Sequence, residues 1–555
     1  MLFSRLRDTA AAALALRTGG ASCAPSALHF SSASLSAKHA SATFCVSPLH
    51  RFFSSPSRAA LSSPRVLAKR TLFRHECGSC RGLSTAARSV CGSLSEAEAH
   101  AAVEAGLEAL AQKIEEAAGP KRELLKKLRK DHGNLVVSEA TVNSVCGGMR
   151  GLTAVLTETS ALDPEKGILF RGLSINECME KLPRLQKETY PAVEGLIWLL
   201  MTGSIPTAQE VQLLSNALYA LSLSSESASP ASPFIPLHVH KALDAIPTSV
   251  HPMTQLVLSA TALQTTSQLA DACRHKKVKK QDLWKPALAD ALSLIAKNGV
   301  MAARIYQRTF DDGKDIDPQR GLDWAANFAH MMGFDSENHR ELFRLYLFLH
   351  ADHEGGNVSA HAAHVVGSAL SDPFLSFAAG MAGLAGPLHG LANQECLKWL
   401  LDVHRSLGGA APTPEKVRRI AEETLASGRV IPGYGHAVLR VTDPRFTAQR
   451  EFALKYLKDD ELFKLLDVAY RTIPDVLLAT GKVKNPYPNV DCHSGVLLQH
   501  FGITEPDYYT VLFGVSRAIG IASQYVWARI LGLPIERPKS TTLDQLEALC
   551  EAKKN

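Results

Sequence analysis

What this chain of 555 residues has little of narrows its reading quickly. Acid is almost missing from its first 75 positions, where Asp8 stands among Arg5, Arg7, Arg17, Arg51, Arg58 and further arginines. With the basic amphipathic start "MLFSRLRDTAAAALALR", that segment reads as an organellar transit peptide. Arg17 interrupts the apolar run, which speaks against a secretory signal, and positions 1–92 are set aside as leader and disordered lead. Eleven Cys follow no disulfide rhythm, so reduced, mostly buried thiols are expected. "CGSC" at 77–80 has zinc-ligand spacing, but no second pair follows and no metal is expected there. A broad basic surface is lacking as well: the net charge of +6 comes largely from the leader, which excludes an extended nucleic-acid footprint. No uninterrupted membrane span is present. The stretch 508–532 is long enough, but Arg517, Gln524 and Arg529 break it, so it reads as a buried core helix. Sustained alternation is scarce too, and "HGNLVVSEATV" (132–142) is the best short strand candidate.

What is abundant is helical periodicity. "SEAE" at 95–98 supplies a capping box, and Leu107, Leu110 and Ile114 follow at helical spacing. "EGLIWLLMTG" (194–203), "MTQLVLSATALQTTSQLADA" (253–272), "RELFRLYLFLHAD" (340–352) and "LANQECLKWLLDVHRSLG" (391–408) read as further helices. The expected class is all-α, mainly helical, with at most a minor β element. "SLSSESASPASPFIP" (222–236) reads as a surface loop, and "RHKKVKKQDLWK" (274–285) as a solvated basic face.

Some polar residues are not explained by packing. "LHADHEGGNVSAHAAH" (349–364) holds His350, His353, His361 and His364, but it is not H-E-x-x-H, and Gly355 and Gly356 end the helix where a ligand face would need to continue. His353 is left at a helix end, able to donate to an anion. In "GPLHGLANQE", His389 lies at or beside a helix N-terminus, which disfavours imidazolium. It is either a neutral donor to a developing oxyanion or a satisfied surface histidine. Asp491 in "NPYPNVDCHSG" sits where an ordinary N-cap would. Arg517 is flanked by apolar residues on every side, and a buried guanidinium is costly without a protein or ligand carboxylate. Arg537 in "ERPKS" has a poor partner in adjacent Glu536, so it is either exposed or aimed into a second subunit.

Together "GGMRG" (147–151), "HADHEGGNVSAH", "GPLHGLANQE", "PGYGHAVLRVTDPR" (432–445), "NPYPNVDCHSG", "GVSRA" and "ERPKS" resemble, in order and interval, citrate synthases of the mitochondrial, eukaryotic type. The resemblance covers roughly residues 118–545. It implies a large helical domain (93–390 and 503–555) with a small domain (391–502) between its halves, in a homodimer of the mitochondrial matrix. It also implies a Claisen condensation of acetyl-CoA with oxaloacetate and hydrolysis of citryl-CoA to citrate and CoA. The neighbouring alternative is a 2-methylcitrate synthase using propionyl-CoA.

By the same resemblance Asp491 takes the thioester methyl proton, His389 donates to the thioester oxygen, and His436 polarises the keto oxygen of oxaloacetate. Oxaloacetate would be held by Arg445 and Arg517, with His353 assisting and Arg537 arriving from the partner subunit. Asn357 and Ser359 would support His389 and the substrate. Coenzyme A would meet the backbone of Val430, Pro432, Gly433, Tyr434 and Gly435, with Arg440 and Arg150 at its phosphates. Lys279 or Lys280 stands where the family places an arginine contributed by the partner subunit. Acetyl-CoA is a co-substrate; no metal or permanently bound cofactor is implied.

Overall fold

The computed structural model describes residues 94–225 and 234–553, all inside one compact unit spanning Gly82–Asn555. The expected leader with its "CGSC", and the tip of the Ser/Pro-rich loop, lie outside the described residues. Helices α1 (Glu96–His132) and α2 (Val142–Cys146) precede a small antiparallel sheet, β1 (Ser160–Asp163), β2 (Gly167–Phe170) and β3 (Leu173–Ser174), paired in that order. Next come α3 (Ile175–Lys181), α4 (Val193–Thr202) and α5 (Ala208–Leu221), then a two-residue parallel pair, β4 (Ser224–Ser225) and β5 (Ile235–Pro236). Helices α6 (Leu237–Asp244), α7 (Pro252–Leu263), α8 (Gln268–His275), α9 (Trp284–Phe310), α10 (Trp324–Met331), α11 (Glu337–Leu349), α12 (Val358–Ser368) and α13 (Pro373–Leu384) follow. The chain continues through α14 (Ala392–Ser406), α15 (Pro414–Ala426), α16 (Pro444–Tyr456), α17 (Glu461–Ala479), α18 (Asp491–His500), α19 (Pro506–Ile530) and α20 (Leu543–Ala552). The mainly helical class is as expected.

Helix α1 begins at the capping box: Ser95 Oγ accepts from Glu98 N, and the Glu98 carboxylate accepts from Ser95 N (2.8 Å). Its Gly106 lies so close to α5 that a Cβ there would come within 2.7 Å of Ala217 Cβ. Helix α19 is buried on all faces and packs on α4, α7, α9, α11, α12 and α13, as its apolar sequence requires. Each fully buried Val, Leu, Ile or Phe contributes about 1.5–3 kcal/mol. Several such residues in α19 offset the several kcal/mol that burial of the Arg517 charge costs. Helices α14 to α18 pack largely on one another, with α14 and α16 also touching α19 and α3.

Two local expectations are corrected. Residues 135–140 form no strand: Leu135, Val136 and Val137 are about 70% exposed and join no described strand, whereas the described strands lie at 160–174 and in the short pair β4 and β5. β-Branched content without a partner edge does not make a sheet. The run 253–272 is two helices rather than one. After α7, a 3₁₀ turn at Gln264–Thr266 precedes α8, whose N-terminus is held by Asp290 of α9 through Ser267 Oγ (2.6 Å), Gln268 N (2.7 Å) and Leu269 N (3.1 Å).

Candidate active site

The segment after α11 is fastened on every side. Asp352, fully buried, accepts from Thr159 Oγ1 (2.5 Å), Ser160 Oγ (2.8 Å) and Gln524 Nε2 (2.7 Å), while Glu354 Oε1 accepts from Leu162 N (2.6 Å). Asn357 then caps α12: its Oδ1 accepts from Ala360 N (3.1 Å), Ser359 Oγ (2.9 Å) and Arg517 Nη1 (3.1 Å), and its Nδ2 donates to His353 O (2.9 Å). One side chain thereby fixes the backbone of His353, the hydroxyl of Ser359 and the guanidinium of Arg517.

The two central arginines differ sharply. Arg445, at the start of α16, is paired with Asp443, which accepts from Nε (3.0 Å) and Nη2 (2.7 Å) and also caps the helix through Arg445 N (3.0 Å). Burial pushes the Asp443 carboxyl up, but Arg445 outweighs it and holds the group below its ordinary value. Arg517 is only 2% exposed and has no protein carboxylate within ion-pair distance among the described residues. It donates to His350 O (3.3 Å) and Asn357 Oδ1 and lies 4.8 Å over the Phe513 ring. Burial lowers it to about 10, still charged at neutral pH. The unmatched buried charge read from the sequence is present.

Three imidazoles are gathered around these charges. His389 stands in the turn before α14, its Nε2 accepting from Ser359 N (3.2 Å) and lying 2.9 Å from Ser359 Oγ, so a neutral ring carries its proton on Nδ1. Burial first, then Arg517, pushes it down to about 4. Desolvation, more than the helix end, keeps this ring neutral. His436 has the opposite tautomer: Nδ1 accepts from Val438 N (3.0 Å) and Leu439 N (3.1 Å), which leaves Nε2–H as its free donor. Burial and Arg445 lower its pKa. His353 lies with its ring centroid 5.7 Å from that of His436, its buried Nε2 has no partner, and burial, Arg445 and Arg517 hold it well below the ordinary value.

Asp491 is the first residue of α18, behind Val490 at the cap position, and its side chain makes no capping bond. Burial raises its carboxyl to about 6, with Asp443 adding to the rise and Arg445 and Arg517 opposing it. The loop bearing His436 is stitched to this point. Asn489 N donates to Gly433 O (2.9 Å), Asn489 Nδ2 to Gly435 O (3.0 Å), Gly435 N to Tyr487 O (2.9 Å), and Asn489 Oδ1 accepts from Asp491 N (3.1 Å). Gly433 has φ +80°, and a Cβ there would come within 2.7 Å of Cys396 Sγ and 2.9 Å of Cys492 Cα. Its freedom is thus used for tight packing on α14 and α18.

The expected coenzyme residues are more scattered. Val430 is 78% exposed, Pro432, Tyr434 and Gly435 are half-buried, and exposed Arg440 folds its Nη1 onto the carbonyls of Val438 (2.7 Å) and Leu439 (2.8 Å). Arg150 is exposed in a turn built on Gly148 and Gly151, both with positive φ, and Lys279 and Lys280 are exposed between α8 and α9. Arg537 is exposed without a partner among the described residues, while Glu536 faces His364 (2.8 Å) and His361 (3.5 Å). Among the described residues of one chain no hydrogen bond or ion pair joins Arg150, Lys279, Lys280 or Arg537 to His353, His389, His436 or Asp491. Of the four histidines of 349–364, His361 and His364 share Glu536 while His350 lies by Ser494 and His353 by His436, and no group of three or more metal-ligating side chains is found among the described residues.

A family model described as citrate synthase, C-terminal domain, matches residues 148–539. The chain belongs to the citrate synthase family. "Citrate synthase 4, mitochondrial" of Arabidopsis thaliana is 52% identical over 442 residues, covering 80% of this chain and 90% of that relative. "Citrate synthase, mitochondrial" of Daucus carota is 52% identical over 442 residues, covering 80% and 91%. Citrate synthase from Pyrobaculum aerophilum superposes with a TM-score of 0.60 at 27% identity over 74% of this chain and 96% of that one. The fold also matches, at 19% identity and TM-score 0.59 over 73% and 97%, that of the Thermoplasma acidophilum citrate synthase in a ternary complex with carboxymethyl coenzyme A and oxaloacetate. As a member of the citrate synthases the chain is an acyltransferase, and its relatives place it in the mitochondrion; their names do not favour the 2-methylcitrate alternative.

Sequence reasoning about this citrate synthase overlooked several groups. Asp443 neutralises Arg445, Tyr346 stacks at 4.2 Å on His350, which the sequence had marked only as a histidine of the 349–364 run, Phe513 faces Arg517, His350 and His389, and Asn489 ties two loops together. "TDPR" carried a usable sign in Asp443, since Asp before Pro is a helix-start signal.

Proposed function

We propose that this chain condenses acetyl-CoA with oxaloacetate and hydrolyses the resulting citryl-CoA to citrate and CoA, in the mitochondrial matrix. Asp491 removes a methyl proton from the thioester, and Nδ1–H of His389 hydrogen-bonds the oxygen on which the enolate charge develops. The enolate carbon attacks the keto carbon of oxaloacetate, whose oxygen is met by Nε2–H of His436. Water then cleaves the thioester and releases the CoA thiol. The observation that carries the reading is a pair of neutral imidazoles with opposite tautomers grouped with a raised carboxyl and a buried arginine that has no carboxylate within ion-pair distance. Two dicarboxylate anchors, Arg445 and Arg517, are then assisted by His353 and by Arg537 of a second subunit, and Asn357 and Ser359 brace the constellation. Coenzyme A lies along Val430, Pro432, Gly433, Tyr434 and Gly435, with Arg440, Arg150 and a partner lysine, Lys279 or Lys280, at its phosphates.

The working unit is a homodimer, each chain divided into a large domain (93–390 and 503–555) and a small one (391–502). The site lies in the cleft between them, and closure on oxaloacetate protects the thioester from premature hydrolysis. Thiol release from acetyl-CoA and from propionyl-CoA, each with and without oxaloacetate, tests the reading. Release that requires oxaloacetate and is faster with acetyl-CoA supports it; no oxaloacetate-dependent release from either thioester sinks it.

A further inference from the structure

Behind Asp491 lies a buried polar network that the reaction described above does not use. Ser494, one turn into α18, is fully buried. Its Oγ accepts from Gln449 Nε2 of α16 (2.8 Å) and donates to Val490 O (2.8 Å), the carbonyl of the peptide that leads into Asp491. It also lies 3.4 Å from His350 Nε2 at the end of α11. His350 Nδ1 is 2.9 Å from Tyr346 O, and a carbonyl only accepts, so the ring proton sits on Nδ1 and Nε2 presents a lone pair. Two acceptors therefore share one hydroxyl proton. The nearer, Val490 O, holds it in this structure, and His350 Nε2 is left at long range. Gln449 Oε1, also buried, has no partner. A buried network left partly unsatisfied has a second arrangement close in energy.

His350 is tied to the substrate side as well. Its backbone oxygen accepts from Arg517 Nε (3.3 Å), and its ring meets Phe513 edge-on at 5.5 Å, under the same guanidinium. A carboxylate arriving at Arg517 competes with this carbonyl for the guanidinium. It thereby acts on the residue whose ring faces Ser494.

Resting on Asp491 as the base, we propose that the Ser494 hydroxyl, shared between Val490 and His350, is a positioning group through which a carboxylate bound at Arg517 sets the placement of Asp491. With the proton on Val490, the first turn of α18 is held to itself. With the proton on His350, that turn is drawn toward α11 and the Val490 peptide is freed to reorient the base. The coupling runs through a discrete choice of hydrogen-bond acceptor that both ends bias.

Four variants of the full-length enzyme test this: Ser494→Ala, His350→Asn, His350→Gln and the double variant Ser494→Ala/His350→Asn. Ser494→Ala is expected to lower kcat about 10–100-fold, the scale of a displaced catalytic group. Its oxaloacetate Kd by calorimetry should stay within about threefold, since no substrate contact is removed. His350→Gln puts an amide oxygen where Nε2 stands and should keep most of the activity. His350→Asn lacks that acceptor and should fall as far as Ser494→Ala. The double variant should be no worse than either single one, the mark of residues acting on one path. A purely structural role would lower thermal stability while leaving kcat per folded site intact. Wild-type kcat in Ser494→Ala, equal losses in the Gln and Asn variants, or additive losses in the double variant would each overturn the proposal. Asp491→Asn run alongside separates the two readings. If it still condenses, the base assignment is wrong; if it is inactive while Ser494→Ala is fully active, only the Ser494 coupling is wrong.

Discussion

Arg445 and Arg517 bear the same charge at nearly the same depth, yet their surroundings make them different in substitution. Removing Arg445 strands Asp443, which is 1% exposed, without its partner. Arg445→Ala should therefore lose oxaloacetate binding and about 3–5 kcal/mol of stability in chemical denaturation. Arg517→Leu removes a buried charge that no protein carboxylate pairs at ion-pair distance, Asp352 and Asp491 acting on it only from farther away. It should abolish turnover while the melting temperature holds or rises. Arg440, exposed and folded on its own backbone, should behave as neither: Arg440→Ala mainly raises KM for acetyl-CoA in steady-state kinetics. Asp491 carries its own pH signature. Its carboxyl is raised to about 6, so kcat/KM should fall as pH drops through 6, well above the ordinary aspartate range near 4. A raised carboxyl destabilises the fold once ionised, so this group weakens the protein as pH rises from about 4 to 6. Asp491→Asn should then be the more stable protein at pH 7, by about 1–3 kcal/mol after allowance for partial exposure.

Among the elements, the loop at 432–436 and the turn at 487–491 behave as one piece, because Asn489 bonds to Gly433, Gly435 and Asp491 at once. Gly433→Ala meets a left-handed backbone and two cysteine side chains together. It should lower both the melting temperature and kcat, with purified variants compared by calorimetry and thiol release. This coupling also shows where the sequence was readable. The glycines, His436, Arg440 and Arg445 marked the loop as a candidate site, and the capping box at Ser95 and the apolar run of α19 marked their helices. Burial and long-range partners left no such mark. Asp290 starts α8 from a distant position, Asp443 disappears under Arg445, and the tautomers of His389 and His436 depend on Ser359 N and on Val438 N and Leu439 N. "HGNLVV" misled for the converse reason: its β-branched residues suit a strand, but no second strand is there to pair with.

For the whole molecule, buried neutral histidines set an acid limit. His350, His389 and His493 are depressed to about 3, 4 and 4, chiefly by burial. Their contribution is complete above about pH 6.5 and is lost as pH falls toward 4, since the unfolded chain takes up these protons first. Denaturation at stepped pH should show stability dropping over that interval. The proposed sharing of the site between two subunits has its own check. Arg537→Ala and Asp491→Ala, each inactive alone, should on mixing and reassembly recover about a quarter of wild-type activity, because each mixed dimer holds one intact site. The central claim is that Asp491 is the base of a condensation assembled around bound oxaloacetate. It is tested most directly by measuring, on one preparation of Asp491→Asn, both CoA thiol release and the calorimetric Kd for oxaloacetate. The account predicts that thiol release falls about a thousandfold or more while Kd stays close to that of the wild type. Thiol release at the wild-type rate with oxaloacetate bound normally would contradict it.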